Sequence, residues 1–169
     1  MSQRDVFYKW LFYSLLGLFW LSLQQLALNH LSIWSGVHPF ILPMVPVMVA
    51  ILERRQDSAF FAIACGLVTD LLLPGGLPGF YSLTFLLSAL LAGLIAGRLI
   101  VPGFLCAFVC SVIAIVLGDL LLSLMLTYSL EFTAATALSL TGRELLLSLP
   151  FFPLIFLSFR KICRMSRGE

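Results

Sequence analysis

Long apolar runs, separated by short charged or turn-forming stretches, are the feature that most limits how this chain can fold. An α-helix needs about 20 mostly apolar residues to cross about 30 Å of hydrocarbon. Six runs approach or reach that length, and they cover 10–28, 33–52, 58–73, 80–96, 99–126 and 145–159. The pattern predicts an all-α integral membrane protein, a bundle of six transmembrane helices in one domain over residues 1–169.

Composition supports this class because hydrophobic residues make up 61% of the chain and charged residues only 11%. Soluble domains carry roughly 25% charged residues. The connections between the runs are too short for a separate soluble catalytic domain. A net charge of +2 is also too small to suggest a nucleic-acid partner, so the partner that composition indicates is the lipid bilayer.

The basic residues predict the orientation, because cytoplasmic flanks retain lysine and arginine. With six crossings, nine of the ten basic residues fall on one side, and Arg143 alone falls on the other. The nine are Arg4, Lys9, Arg54, Arg55, Arg98, Arg160, Lys161, Arg164 and Arg167. We therefore expect both termini in the cytoplasm.

Two aspartates, Asp70 and Asp119, fall inside apolar runs, where an ionisable group is costly enough to suggest a function. Each stands near the outer end of its helix, so each could instead reach interfacial water or cap a neighbouring helix. Gln24 and Gln25, with Asn29, close the first helix and could hydrogen-bond to either aspartate. Ordinary polarity at the membrane surface would explain these amides equally well.

Small residues mark two further places. Ala89, Gly93 and Gly97 recur every four residues on the fourth helix, a spacing that lets another backbone approach closely. The approaching helix could belong to this chain or to a partner. Gly75, Gly76 and Gly79 stand among prolines between the third and fourth helices and predict a turn.

We expect no metal, cofactor or catalytic site. His30 and His38 lie in the first outer loop without a third ligand nearby, and the four cysteines lack C-x-x-C spacing. The sequence also contains no P-loop, H-E-x-x-H or G-x-S-x-G motif. These observations argue against an enzyme.

The segment GLVTDLLLPGGLPGF, from Gly66 to Phe80, resembles a helix end and glycine-rich turn of the MreD family. Asp70 is the matching aspartate, although Pro78 puts Gly79 one residue later than the family pattern. The resemblance runs nearly end to end. Its other pieces are Gln24 or Gln25 closing the first helix, Pro39 opening the second, Asp119 in the fifth, and the proline-containing last helix from Pro150 to Arg164.

The resemblance implies a noncatalytic scaffold in the bacterial inner membrane that serves cell-wall elongation and cell shape. MreC is the implied direct partner. MreB filaments, the RodA glycosyltransferase and its partner transpeptidase are implied within the same complex.

The alternative is the substrate-binding subunit of an energy-coupling-factor vitamin transporter, which is also a small six-helix protein. Asp70, Asp119 and Gln24 would then line a vitamin pocket. Those subunits typically show small residues on the first helix, whereas the run from Trp10 to Leu28 is bulky throughout.

Overall fold

The computed structural model describes residues 3–30, 37–53, 55–73, 78–99, 101–129 and 134–167, and these residues fold into seven α-helices without a strand. The helices are α1 (Gln3–Leu26), α2 (Met44–Leu52), α3 (Arg55–Leu72), α4 (Phe80–Arg98), α5 (Phe104–Ser129), α6 (Ala134–Ser148) and α7 (Phe152–Arg167). Short 3₁₀ turns cover Leu28–His30 and Leu149–Phe151. The predicted all-α class is confirmed for this part of the chain.

Four helical stretches are long and apolar enough to cross a membrane, and they are Val6–Leu26, Phe80–Arg98, Phe104–Leu124 and Leu138–Met165. The last one joins α6, a 3₁₀ turn and α7 into a single run. Of the other two predicted spans, α3 has 18 residues but includes three charged ones, Arg55, Asp57 and Asp70. The remaining helix, α2, is only nine residues long.

The short helix α2 is the centre of the bundle. Its residues from Met44 to Ile51 are all buried, and it packs against α3, α4, α5 and α7. A helix that is apolar on every side is stable only when it is surrounded, and α2 meets that condition. Large side chains on the outer helices point away from the bundle instead, as Phe12, Phe19 and Leu157 do.

The second predicted helix differs most from the prediction. The apolar run 33–52 was expected to form one helix, but the helix begins only at Met44. Residues 38–41 have no regular secondary structure, and 33–36 lie outside the described part of the chain. Pro39 and Pro43 account for this, because proline provides no N–H for a helix and disfavours helical geometry in the residue before it.

Residues 127–144, which separate the fifth and sixth predicted helices, are helical wherever the structure describes them. Helix α5 continues to Ser129, and α6 begins at Ala134 and runs directly into the 3₁₀ turn before α7. Pro150 stands in that turn and Pro153 is the second residue of α7, positions where a missing N–H costs little. The sixth predicted helix, 145–159, is therefore the middle of a longer helical stretch.

Side-chain contacts define two opposite ends of the bundle. At one end, Lys9 forms an ion pair with Glu53 at 2.7 Å, and the hydroxyl of Tyr13 donates to the same carboxylate at 2.9 Å. Tyr13 also stacks on Phe159 of α7. At the other end lie the close of α1, the close of α3, the start of α4 and residue Ser148 of α6. The candidate site is at this second end.

Candidate functional site

Gln24 holds the irregular segment that precedes α2. Its side chain is 1% exposed, its Nε2 donates to the Pro39 carbonyl at 2.7 Å, and its Oε1 accepts from the Ile41 N–H at 3.0 Å. The second Nε2 hydrogen goes to Asn29 Oδ1 at 2.8 Å, and Asn29 in turn donates to Gln25 Oε1. Gln24 thus provides the backbone partners that a strand neighbour would otherwise supply.

Ser148 completes this support from the opposite side of the segment. Its hydroxyl is fully buried and accepts from the Phe40 N–H at 2.9 Å. A non-helical backbone inside a membrane protein is tolerated where its polar groups find partners within the protein. Gln24 and Ser148 meet that requirement for residues 39–41.

We expect Gln24→Ala to destabilise the protein by about 3 kcal/mol, because the Pro39 carbonyl and the Ile41 N–H would remain buried without partners. Gln25→Ala is the matched control and should cost less than about 1 kcal/mol, since the hydrogen bond that it removes is a part-buried one from the Asn29 side chain rather than one to buried backbone. Thermal unfolding in a mild detergent measures both. Equal losses for the two variants would contradict this role of Gln24.

Asp70 caps helix α4 from the end of α3. Its Oδ1 accepts from the Tyr81 N–H at 3.0 Å, and its Oδ2 accepts from the N–H and the hydroxyl of Ser82 at 3.1 and 2.7 Å. The first N–H groups of a helix lack partners within it, and the helix dipole favours a negative charge there. Of the alternatives that the sequence left open, the structure shows the helix cap.

Gly66 lets α3 approach α4 at the same place. It lies four residues before Asp70 and therefore on the same face of α3. A Cβ on Gly66 would stand 2.7 Å from the backbone nitrogen of Ser82 and 2.9 Å from the Tyr81 carbonyl oxygen. Gly79 precedes α4 with φ +86°, a left-handed conformation that favours glycine. Gly66, Asp70 and Gly79 thus form a joint between the two helices.

Asp119 and Glu144 line a cavity of about 200 Å³ beside this joint. Asp119 projects from α5 and is hydrogen-bonded to Thr141 of α6, while its Oδ2 is buried without a partner among the described residues. Glu144, one turn further along α6, lies close enough for the two carboxylates to interact electrostatically. Two acidic side chains therefore share one small space.

The rest of the cavity wall is aromatic, apolar or weakly polar. The ring of Tyr81 lies 5.9 Å from Phe40 and 5.3 Å from Phe80, measured between ring centroids. His38 also reaches the cavity, and its Nδ1 is buried without a hydrogen-bond partner. The remaining wall residues are Leu73, Thr84, Gly118 and Leu122.

Tyr81 is next to both aspartates that the sequence analysis singled out, Asp70 and Asp119. Its N–H bonds to Asp70, and its ring faces the cavity that Asp119 lines. The two carboxylates nevertheless have different partners and different roles, since Asp70 joins two helices and Asp119 borders an open space. The amides of Gln24 and Gln25 bond to Asn29 and to backbone rather than to either aspartate.

The small-residue face of α4 divides between the inside and the outside of the bundle. Ala89 is 1% exposed and packs within the chain, Gly93 is half-buried, and Gly97 is exposed. A Cβ on Gly97 would meet no atom within 4 Å. Only the Gly97 end of this face is open to a partner.

Four important positions, Gly66, His38, Glu144 and Ser148, were not singled out as functional from the sequence. Gly66 stood within the quoted motif, and its spacing of four from Asp70 was a usable signal. Glu144 falls between the fifth and sixth predicted helices, so its place on a helix close to Asp119 was not predicted. The predicted turn residues Gly75 and Gly76 lie outside the described residues.

The site brings together groups that can bind a ligand. Within the described ranges, no three His, Cys, Asp or Glu side chains are grouped so that they could hold a metal ion. What the arrangement provides is a pair of carboxylates, unpartnered polar atoms and aromatic rings around a cavity the size of a small molecule. Comparisons of this chain with protein-family models, curated proteins and solved structures found no match.

Proposed function

We propose that this chain is a noncatalytic scaffold of the MreD type in the bacterial inner membrane, where it binds MreC. Through MreC it would help couple MreB filaments to wall synthesis by RodA and its partner transpeptidase. The observation that carries the proposal is the Gly66–Phe80 segment, whose pattern resembles the family. Gly66, Asp70 and Gly79 each have a role in joining α3 to α4, and residues that shape a fold are those that a family would share.

The proposal includes six crossings with both termini in the cytoplasm. Helix α3 is about 27 Å long, and residues 37–52 reach up to about 33 Å as an extended segment to Ile41 followed by a turn and helix α2. Both lengths are near the 30 Å of the hydrocarbon core. The end that carries Lys9 is also the end to which Arg160, Lys161 and Arg164 of α7 extend, which is the arrangement expected of a cytoplasmic side.

A scaffold of this kind has to bind its partner within the membrane. Standard interfaces bury about 800 Å² on each partner, and the loops between the described helices are too short to supply that area. Lipid tails are as apolar as leucine, so helix association there depends on close packing and polar contacts. The open end of the small-residue face at Gly97 offers such a contact.

Affinity purification from a gentle detergent, with the co-eluting proteins identified, tests this proposal. We expect MreC to co-elute, and we expect Gly97→Leu to reduce its recovery without loss of the chain from the membrane, since a side chain there meets nothing within the chain. Phe12→Leu, on an exposed face of α1, is the control. Absence of MreC from the wild-type eluate would contradict the scaffold.

The cavity favours one second candidate, the substrate-binding subunit of a vitamin transporter. Asp119, Glu144 and Tyr81 would then contact the vitamin. The first helix argues against it, because its outward face carries Phe12, Leu15 and Phe19 rather than small residues. An ATPase-linked transport module in the same eluate, in place of MreC, would favour this candidate.

A further inference from the structure

Two acidic side chains, Asp119 and Glu144, line the cavity beside the α3–α4 joint. The carboxylate of Asp119 is close enough to Glu144 to act on it electrostatically. Asp119 Oδ2 is buried and has no hydrogen-bond partner within the described chain. Buried polar atoms are normally paired, and a buried carboxylate oxygen without a donor indicates a missing positive or proton-donating group.

The size of the cavity indicates what kind of group is missing. A cavity of about 150 Å³ in a protein interior holds benzene, whereas one water occupies about 30 Å³. This cavity measures about 200 Å³, so it is larger than a bare ion or a single water needs. His38, Asp119 and Glu144 all line it, but no three metal-ligating side chains among the described residues are grouped so that they could hold a metal ion. A small organic ligand fits these dimensions.

The aromatic wall indicates the charge of that ligand. Phe40, Phe80 and Tyr81 also line the space, and the ring centroid of Tyr81 lies 5.9 Å from that of Phe40 and 5.3 Å from that of Phe80. Aromatic faces attract cations, and an ammonium group can also donate to carboxylate oxygens and to the free His38 Nδ1. Acidic and aromatic walls together match a ligand with one cationic head and a short apolar body.

We propose that this cavity is a binding site for a small organic cation with an ammonium or guanidinium head. Asp119 and Glu144 bind the head, and the rings of Phe40, Phe80 and Tyr81 enclose the body. The site is separate from the α4 surface at Gly97 that is proposed for MreC. It therefore does not depend on the scaffold function, and either proposal can fail without the other.

Calorimetric titration of the full chain in a mild detergent tests this, with benzylammonium as the probe and benzyl alcohol as its neutral counterpart. We expect saturable binding of one benzylammonium per chain with Kd of about 1 mM or lower, an ordinary affinity for so small a ligand. Benzyl alcohol should bind at least about tenfold more weakly, because it lacks the charge that the carboxylates attract. Both probes also partition into detergent micelles, so the difference between their affinities is the quantity that reports binding at the site.

Variants of Asp119 and Glu144 test whether these two carboxylates bind the probe. Asp119→Asn and Glu144→Gln should each weaken benzylammonium binding at least about tenfold. Asp57→Asn removes the same charge from an exposed position near the start of α3, about 24 Å along the helix from the cavity-lining Leu73. This variant should leave binding unchanged. Thermal unfolding shows whether each acidic variant is folded. If one of the two is not, the binding measured with the other decides the test. The proposal is overturned by equal affinity for the two probes, by no saturable binding, or by unchanged binding in the folded acidic variants.

Discussion

Gly66→Ala is expected to destabilise the protein by about 3 kcal/mol or more, although alanine is the better helix former. The added methyl group would meet backbone atoms of Ser82 and Tyr81, which cannot rotate away as a flexible side chain can. Helix α4 would have to move away from α3, which would also lengthen the hydrogen bonds of Asp70. We expect low yield in the membrane and a lower unfolding temperature.

Gly97→Ala is the matched control, since Gly97 is also helical but a Cβ there meets nothing within 4 Å. Its stability should change by no more than about 0.5 kcal/mol. Thermal unfolding of both variants in the same detergent measures the difference. If Gly66→Ala is as stable as Gly97→Ala, the close approach of α3 and α4 is not as described.

Asp70→Asn is expected to cost about 3 kcal/mol, although asparagine has nearly the same shape. The carboxylate accepts from three donors with both oxygens, and an amide offers only one oxygen. The amide NH₂ would face a backbone N–H of Tyr81 or Ser82 that also donates. The charge that interacts favourably with the start of α4 would be lost as well.

Asp119→Asn is the control for this prediction, because Asp119 Oδ2 has no hydrogen-bond partner to lose. We expect the unfolding temperature to fall by about 6–12 °C for Asp70→Asn and to change little for Asp119→Asn. Asp70→Leu should be at least as damaging as Asp70→Asn. A stable Asp70→Asn protein would show that the cap contributes little and that Asp70 is retained for another reason.

The sequence predicted well those features that depend on long apolar runs. Helices α1, α4 and α5 were predicted near their observed positions, because a run of about 20 apolar residues is compatible with few structures other than a membrane-spanning helix. Gln24 and Asp70 were also recognised as unusual, because polar groups in apolar surroundings need partners. In both cases the signal is local to the chain.

The partners of those polar groups could not be predicted, because they come from distant parts of the chain. Gln24 bonds to the backbone of Pro39 and Ile41, and a sequence pattern does not show which backbone groups need a partner. Glu144 becomes a neighbour of Asp119 only once α6 packs on α5. The same reason explains why the irregular segment before α2 was read as helix, since its apolar residues do not reveal how its backbone is supported.

Photo-crosslinking in membranes tests the central claim, lateral binding of MreC, most directly. A crosslinking amino acid would be placed at exposed positions on four helices and, as a control, at the fully buried Ile155. The exposed positions are Leu15, Leu91, Leu105 and Leu157. We expect light-dependent adducts with co-expressed MreC from at least one exposed position, and none from Ile155. If every exposed position lacks an MreC adduct while the chain is present in the membrane at normal amounts, the proposed scaffold role is contradicted.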